Sequence, residues 1–326
     1  MSFKCYMKPI MFLFIMLFTV VSCEDENKLE NEIAKINLDI NVERFDKVFA
    51  EASITDFSKL KRAYPFMFSE IDSDSIWIET KKDTLQIQLL DEVSKIFPDI
   101  AETELEIESL FNHIKYYFPE FNVPRVITTT SYVDYRNKVI VTDTITVIAL
   151  DTYLGSDHDF YGGIQRYLRE NFSPSQIVVD LAGEYAEKYI YQKQNRTLLD
   201  EMIYFGKQLY FKDITIPFKT EAERISYSQA QLDWAIANES YIWRYFIERE
   251  LLFSTDSELP SRFISPAPFS KFYLEEIDAE SPGRIGQYIG WQIVKAYMQQ
   301  NDVTLKDLLI LSPEDIFNNS KFKPRK

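Results

Sequence analysis

The hydrophobic and polar positions of the chain predict a few strands in its first half and helices in most of the remainder. Residues 36–42 alternate aliphatic with polar side chains, which is the period of a half-buried strand. The runs 125–131, 138–142 and 144–150 are dense in valine, isoleucine and threonine. Such runs are typical of strands, and these are short enough to form one small sheet.

Helical periodicity predicts the other elements. Before the sheet runs, helices are expected around 55–63, 85–97 and 103–118, and the last opens with Thr103 and Glu106 at capping-box spacing. After the sheet, the chain is expected to be almost wholly helical. The predicted helices cover 174–191, 197–209, 228–253 and 285–300, with two short ones from 304 and from 312, and a loop at 254–270.

Several of these helices have recognisable start signals. Pro174 stands at a first helical position, and Thr197 with Asp200, like Ser228 with Gln231, has capping-box spacing. No internal repeat, low-complexity segment or long linker divides the chain. The predicted fold class is therefore α+β, a predominantly helical single domain with a small β-sheet.

The amino terminus combines a basic start with a short apolar run that ends at Val20-Val21-Ser22-Cys23. This arrangement is typical of a secretory signal peptide rather than a membrane-spanning helix. The last four residues resemble a bacterial lipobox, which has small side chains before the cleaved bond and a thiol that receives the lipid. An ordinary signal with an incidental cysteine is the alternative. We predict a lipoprotein signal peptide at 1–22, a lipidated polar tether at 23–34 and a folded domain at 35–326.

The cysteine content agrees with a lipid anchor. Cys5 would leave with the signal peptide, so Cys23 would be the only cysteine of the mature chain and no intrachain disulfide could form. Each buried CH₂ group of a lipid adds roughly 0.8 kcal/mol, so several acyl chains hold a protein firmly at a membrane. We therefore predict a membrane-anchored lipoprotein of the cell envelope; the sequence leaves the membrane and the face open.

Composition and charge argue against several classes of function. The chain has 51 acidic and 36 basic residues, a net charge of −15, and no basic stripe that could neutralise phosphates, so nucleic-acid binding is not expected. It has two histidines, His113 and His158, and eight glycines. The chain therefore has too few histidines for most zinc and acid–base sites, and few glycines for a loop that binds phosphate. We predict no cofactor and no metal site.

Two carboxylates stand out on the helix predicted at 174–191. Asp180 and Glu184 are four residues apart and share a face. They could hold a cation together, whereas most such pairs belong to a solvated face. His158, flanked by two aspartates, is a second candidate cation site, and a polar loop is the alternative because adjacent residues seldom converge on one ion.

The helix predicted at 228–253 carries Glu239 and Trp243 among further aromatic residues. Such an aromatic surface is either buried in the core or offered to a protein partner. Asp180, Glu184, Glu239 and Trp243 are therefore our candidate interaction or vestigial-site residues. The segment 282–291 contains three of the eight glycines, which permit a tight turn and close backbone approach where a helix begins.

Seven stretches of the chain, taken together, carry a family resemblance. They are the lipobox at Cys23, Arg44-Phe45-Asp46, 202–210 (MIYFGKQLY), 238–243 (NESYIW), 267–270 (APFS), 282–291 and 322–326 (FKPRK). In this order and spacing they resemble the GldB family of gliding-motility lipoproteins of the Bacteroidetes, along nearly the whole chain. The resemblance implies a cell-envelope lipoprotein needed for surface gliding, a process linked in these bacteria to type IX protein secretion.

The family is also distantly similar to zinc metallopeptidases of the HExxH type, in which a small sheet precedes the motif helix and a second helix supplies a glutamate ligand. At the corresponding place this chain reads 180–184 (DLAGE), and Phe205 replaces the glutamate before Gly206. Zinc catalysis needs about three protein ligands and a glutamate base, and Leu181 stands where that base would be. The resemblance implies a degenerate zincin-like scaffold and a pseudoenzyme.

Three functional hypotheses follow. The leading one is a non-catalytic lipoprotein that contributes to gliding through contacts with proteins of the gliding and type IX secretion machinery. The alternative is a divergent metal-dependent hydrolase of the envelope that draws on Asp180, Glu184, His158 or Glu239. The third is a surface lipoprotein that captures a glycan or a peptide with its tryptophan and tyrosine side chains.

Overall fold

The β-rich runs form one small mixed sheet. A computed structural model describes residues 28–69, 71, 73–193 and 196–326. In that part of the chain the sheet has four strands in the order β1-β2-β4-β3. The strands are β1 (Val42–Glu43), β2 (Arg125–Thr129), β3 (Val139–Val141) and β4 (Ile145–Ala149). β2 is parallel to β1 and to β4, whereas β3 is antiparallel to β4.

The first strand is much shorter than the alternation at 36–42 predicts. Only Val42 and Glu43 pair with β2, while Leu38 and Ile40 pack against the core without joining the sheet. Packing alone therefore satisfies the alternating pattern there. Residues 28–33, which the sequence places in the tether, are helical, and Ile33 is buried with 2% of its surface exposed. This part of the chain belongs to the folded body.

The helices before β2 include the three that the sequence predicts. Their bounds are α1 (Phe45–Glu51), α2 (Phe57–Ala63), α3 (Asp74–Lys82), α4 (Thr84–Ile96) and α5 (Ala101–Tyr117). The sequence misses α1 and α3, which are short and lack strong start signals. The capping box predicted for α5 is wrong: the helix begins at Ala101 after Ile100 with no side-chain cap, so Thr103 lies inside its first turn.

The part after the sheet is helical, as predicted. Its helices are α6 (Arg166–Arg169), α7 (Ile177–Tyr189), α8 (Leu198–Thr215), α9 (Glu221–Ile225), α10 (Gln229–Glu248), α11 (Leu259–Phe263), α12 (Glu275–Glu280), α13 (Ile285–Gln300), α14 (Leu305–Ile310) and α15 (Pro313–Ser320). The capping boxes that begin α8 and α10 form as predicted. However, α8 runs past Leu209 to Thr215, and α11 interrupts the loop predicted at 254–270.

Helices α8 and α13 cross at the centre of the core, and glycines make the crossing possible. A Cβ atom on Gly290 would lie 1.8 Å from the carbonyl oxygen of Met202, and one on Gly206 would lie 2.4 Å from that of Gly290. No side chain larger than hydrogen fits at those distances. The crossing fixes α8, and α8 in turn forms one wall of the site described below.

The fold is an α+β domain, mostly helical, with one hydrophobic core that joins the sheet to the helices, which confirms the predicted class. A smaller cluster under α1 and α2 covers the outer face of β2 at Ile127. Across the ranges that the structure describes, no helix is both long enough and apolar enough to cross a membrane.

Candidate functional site

Two consecutive helices, α7 and α8, form the walls of a charged cleft. A 3₁₀ turn at Pro174–Gln176 leads into α7, and the Thr197–Asp200 capping box begins α8. Apolar residues on the inner face of each helix lie in the core. This burial turns the polar faces of α7 and α8 toward one another, and there the structure brings together Asp180 and Glu184, the two carboxylates that the sequence singles out.

Asp180 is engaged by two partners. The hydroxyl of Tyr153 donates a hydrogen bond of 2.8 Å to its Oδ2, and the ammonium of Lys138 forms an ion pair with the same oxygen. Tyr153 is fully buried, and burial, with the neighbouring Asp180 charge, raises the pKa of its phenol well above the usual value. Tyr153 therefore stays a neutral donor, and Asp180 is neutralised by Lys138.

Glu184 lies one turn further along α7, beside the ammonium of Lys212. A Cβ atom placed on Gly183 would lie 3.4 Å from both Cε and Nζ of Lys212, so the lysine rests against α7 between the two carboxylates. Partial burial, and then the charges of Glu187 and Asp180, raise the pKa of Glu184. In the described part of the chain, the side chain of Glu184 makes no hydrogen bond and no ion pair within 4 Å.

Of the cations that line the larger cavity of the cleft, Lys212 and Arg284 are the two that no carboxylate of the described residues pairs. Lys212 Nζ donates only to the carbonyl oxygen of Arg224, at 3.4 Å, and Arg284 Nη2 donates to that of Ser226, at 2.7 Å. Burial lowers the pKa of Lys212 to about 8 and lowers the pKa of Arg284 as well. Both side chains remain cations at neutral pH.

The third cation on this wall, Arg224, is already neutralised. Its Nη1 lies 2.5 Å from Oδ1 of Asp213, and Asp213 also accepts a hydrogen bond of 2.7 Å from the indole of Trp291. Burial is the main cause that raises the pKa of Asp213. This network fixes the position of Arg224, whose carbonyl oxygen then holds Lys212.

The cleft consists of two adjoining cavities that share Asp180, Gln208 and Lys212. The smaller has a volume of about 200 Å³ and is lined by polar and charged residues of α7, α8 and the segment before β3. The larger has a volume of about 380 Å³ and is walled partly by apolar side chains, including Phe205 and Ile264, with Arg284 on its floor. Concave sites with a few convergent polar groups are typical of ligand binding.

The donor set around Asp180 and Glu184 does not suit zinc. In the ranges that the structure describes, no three histidine, cysteine, aspartate or glutamate side chains come together in a group that could hold a metal ion. Instead, the ammonium of Lys138 forms an ion pair with Asp180, and the ammonium of Lys212 lies against α7 at Gly183. A dication placed there would be repelled by both.

Glu239 lies outside the cleft and secures the carboxyl-terminal segment. Its side chain, 2% exposed, accepts a hydrogen bond of 2.8 Å from the hydroxyl of Tyr288 and one of 2.9 Å from the backbone N–H of Arg325. Trp243, one turn further along α10, packs its ring against Phe322 at 5.1 Å. These contacts are those of a packing role.

A wider groove of about 460 Å³ lies on the other side of α10, between Trp234, Tyr241 and Leu274. Tyr241 is 60% exposed there, so the aromatic surface predicted on this helix is partly buried and partly open. The charged cleft is the better candidate site because it combines concavity with unpaired charge.

The other residues considered from sequence do not converge on a site. His158 Nε2 lies 3.4 Å from Oε2 of Glu92, and its Nδ1 accepts a hydrogen bond from the backbone N–H of Phe160. His113 is buried and its Nδ1 lies 2.7 Å from the carbonyl oxygen of Ser109. Cys23, the predicted signal peptide at 1–22 and the first part of the predicted tether lie outside the described residues.

The basic half of the cleft, Lys138, Lys212 and Arg284, is not predicted from the sequence. One signal was available: Lys207 and Lys212 lie in a stretch of α8 that is rich in apolar and aromatic side chains, and a lysine in such a position is seldom buried without a reason. Arg284 gave no comparable signal, because its place in the cleft depends on a turn geometry that the sequence does not specify.

The fold and the cleft define a mostly helical α+β protein with a concave site whose carboxylates face unpaired cations. A family model described as gliding motility protein GldB matches residues 26–324. The chain therefore belongs to the GldB family of gliding motility proteins, which confirms the resemblance of its motifs. No curated protein and no solved structure matches the chain.

Proposed function

We propose that this protein is a non-catalytic lipoprotein of the cell envelope that acts in gliding motility through contacts with the gliding and type IX secretion machinery. Membership of the GldB family, over nearly the whole chain, is the observation that carries the proposal. It connects the chain with gliding motility; the lipid anchor and the protein partners are the finer parts that we propose.

The chemistry of the cleft supports binding rather than catalysis. Asp180 is held by Lys138 and Tyr153, and the cations Lys212 and Arg284 face the cavity. If the stretch 180–184 marks the place of a former HExxH motif, an ammonium now lies beside it where a metal ion would need ligands. A zincin-like ancestry with a site converted to binding fits this arrangement.

The anchor rests on the lipobox that ends at Cys23. Several acyl chains on that thiol would hold the folded domain at a bilayer.

Complementation of a gene deletion tests the role and the anchor together. We expect the deletion strain to lose colony spreading, the wild-type gene to restore it and the Cys23→Ala variant to fail because its product is not lipidated. The matched control is Cys5→Ala, which changes a cysteine inside the signal peptide and should restore spreading fully. Normal spreading of the deletion strain would refute the motility role, and full rescue by Cys23→Ala would refute the need for the anchor.

The hydrolase alternative keeps one observation in its favour, since Asp180 and Glu184 do line one cavity. Metal analysis and peptidase assays of demetallated and zinc-reconstituted protein separate the two readings. We expect substoichiometric zinc and no metal-dependent cleavage. Stoichiometric zinc with an activity that Glu184→Gln abolishes would replace our proposal by the alternative.

A further inference from the structure

The cleft leaves a specific charge uncompensated. Of the cations that line its two cavities, Lys138 pairs with Asp180, Arg224 pairs with Asp213, and Arg136, on the smaller cavity, is exposed to solvent. Lys212 and Arg284 have backbone carbonyl oxygens as their hydrogen-bond partners, and no carboxylate of the described chain neutralises either one within 4 Å. A lysine ammonium has three donors and an arginine guanidinium has five, so most of their hydrogen-bonding capacity is free to serve a ligand.

The backbone holds the guanidinium of Arg284 in place at some cost. Arg284 adopts a φ of 60° at the start of α13, and Ser226, whose carbonyl oxygen accepts its hydrogen bond, has a φ of 56°. A left-handed conformation is unfavourable for a residue other than glycine, because its Cβ atom crowds the following carbonyl oxygen. Strained positions of this kind concentrate at functional sites. Here two of them meet at a single hydrogen bond that aims a cation into the cavity.

The walls of the larger cavity restrict what can bind beside those cations. Phe205, Leu209, Ile225 and Ile264 supply apolar surface, and Glu201 places a carboxylate on the same lining. A volume of about 380 Å³ is within the range of small-ligand sites. An anion of high charge would be repelled by Glu201 and by Glu184, whereas a single negative charge on an apolar chain suits both parts of the lining.

We propose that this cleft binds the carboxylate of a peptide, with Lys212 and Arg284 as its two anchors and the apolar wall receiving the adjoining side chains. A guanidinium donates two parallel hydrogen bonds to a carboxylate, and the lysine adds a charge-assisted bond from the side. The proposal deepens the proposed function and rests on it, because it names the chemistry of a protein partner.

Calorimetric titration of the full-length mature protein, kept in detergent micelles, tests the proposal. The probe is N-acetyl-alanyl-leucyl-valine with a free carboxyl terminus, and the same peptide with a terminal amide is its uncharged counterpart. Because the ligand's charge supplies the recognition, we expect the acid to bind at least about tenfold more tightly than the amide. Equal affinity for both peptides, or binding of neither, would overturn the proposal.

Substitutions locate the site. We expect Lys212→Met and Arg284→Gln each to weaken binding of the acid about tenfold or more while leaving the affinity for the amide unchanged. Arg284→Lys keeps the positive charge but loses the two parallel donors of the guanidinium, so its affinity for the acid should lie between that of the wild type and that of Arg284→Gln. This variant also guards against the possibility that Arg284→Gln is misfolded. The control is Lys188→Met, since Lys188 lies on α7 outside the cleft and pairs with Asp143 at the surface. An unchanged affinity of Lys212→Met for the acid would refute the assignment.

Two further arms complete the test. Inorganic phosphate should compete poorly with the acid, and competition at equal concentration would show a general oxyanion site and overturn the peptide assignment. Colony spreading of cells that carry Arg284→Gln separates this inference from the proposed function. If the purified variant loses the peptide and the cells still spread, the carboxylate site exists and its role in motility fails. If Cys23→Ala fails in cells while the peptide does not bind, the anchor stands and the carboxylate site fails.

Discussion

Two lysines of helix α8, Lys207 and Lys212, have the same titration behaviour and opposite surroundings. Burial lowers the pKa of each to about 8. Lys207 is fully buried on the closed side of the helix, where its ammonium donates to the carbonyl oxygens of Leu311, at 2.7 Å, and Leu309, at 3.3 Å. Lys212, on the open side, has one long bond of 3.4 Å to Arg224.

The two lysines differ in the source of the hydrogen-bond acceptors for the buried ammonium. On the closed side the chain itself does so, and Lys207 ties α8 to the end of α14. On the open side, only the carbonyl oxygen of Arg224 lies within hydrogen-bond distance of Lys212 in the described chain, which leaves the other donors of the ammonium for something outside the chain. A perturbed pKa alone therefore does not identify a functional lysine. A buried lysine whose ammonium lacks acceptors from the chain itself is the better candidate.

The largest expected effect on stability concerns the crossing of α8 and α13, which fixes the position of α8. Gly290→Ala would place a Cβ atom 1.8 Å from the carbonyl oxygen of Met202, and two helix backbones would have to separate. We expect a loss of about 3 kcal/mol or more in the free energy of unfolding, measured by urea denaturation.

The control for this substitution is Gly163→Ala in an exposed turn, where a Cβ atom meets nothing within 4 Å. We expect it to change the free energy of unfolding by less than about 0.5 kcal/mol. If Gly290→Ala proved as harmless as Gly163→Ala, α8 and α13 would not be in the close contact on which the geometry of the cleft depends.

Lys207→Met should have the next largest effect. The variant keeps most of the volume of the side chain but removes the donor of two carbonyl oxygens, and that of Leu311 has no other donor in the described chain. An unsatisfied buried acceptor costs about 1–3 kcal/mol. We expect the free energy of unfolding to fall by about 2 kcal/mol, and stability equal to the wild type would mean that Lys207 contributes no more than filling space.

Lys212→Met should have a much smaller effect at pH 7, although the residue, the helix and the pKa are matched. The substitution removes a buried charge that has one weak hydrogen bond, so the lost contacts and the relieved desolvation nearly cancel. We expect a change of less than about 1 kcal/mol in either direction in the same denaturation experiment. A loss as large as that of Lys207→Met would show that the chain, rather than a ligand, needs this ammonium.

The elements of this fold that could be predicted from sequence are those whose signals are local. The capping boxes of α8 and α10 and the β-branched runs of β2 to β4 each specify their structure within a few residues. The alternation at 36–42 misleads because packing against a core and pairing in a sheet demand the same pattern. Short helices such as α1 and α3 depend on tertiary contacts, which outweigh their local propensities.

The candidate site divides in the same way. Asp180 and Glu184 could be identified because the spacing of two carboxylates on one helix is a local pattern. Their partners come from the segment before β3, from α8 and from the turn before α13, so their convergence is a property of the fold. Glu239 and Trp243 were also singled out on local composition; they lie outside the cleft and contact the carboxyl-terminal segment.

The smallest expected effect tests whether the two lysines titrate alike. An unfolded lysine has a pKa of about 10.4, whereas each of these has a pKa of about 8 in the folded chain. As the pH rises from 7 to 8, the folded protein releases protons that the unfolded chain retains, so the free energy of unfolding must rise. The gain is about 0.4 kcal/mol for each lysine, measured by urea denaturation at constant ionic strength.

Lys207→Met and Lys212→Met should each lose half of that rise, and the double variant should lose all of it. For Lys212 the charge of Asp180 opposes the lowering of the pKa, while Arg284 and Lys138 add to it. An Arg284→Gln background should therefore move the Lys212 contribution to higher pH and leave the Lys207 contribution where it is. If all variants showed the wild-type pH dependence, neither lysine would have a lowered pKa, and the two residues would not share the property on which their comparison rests.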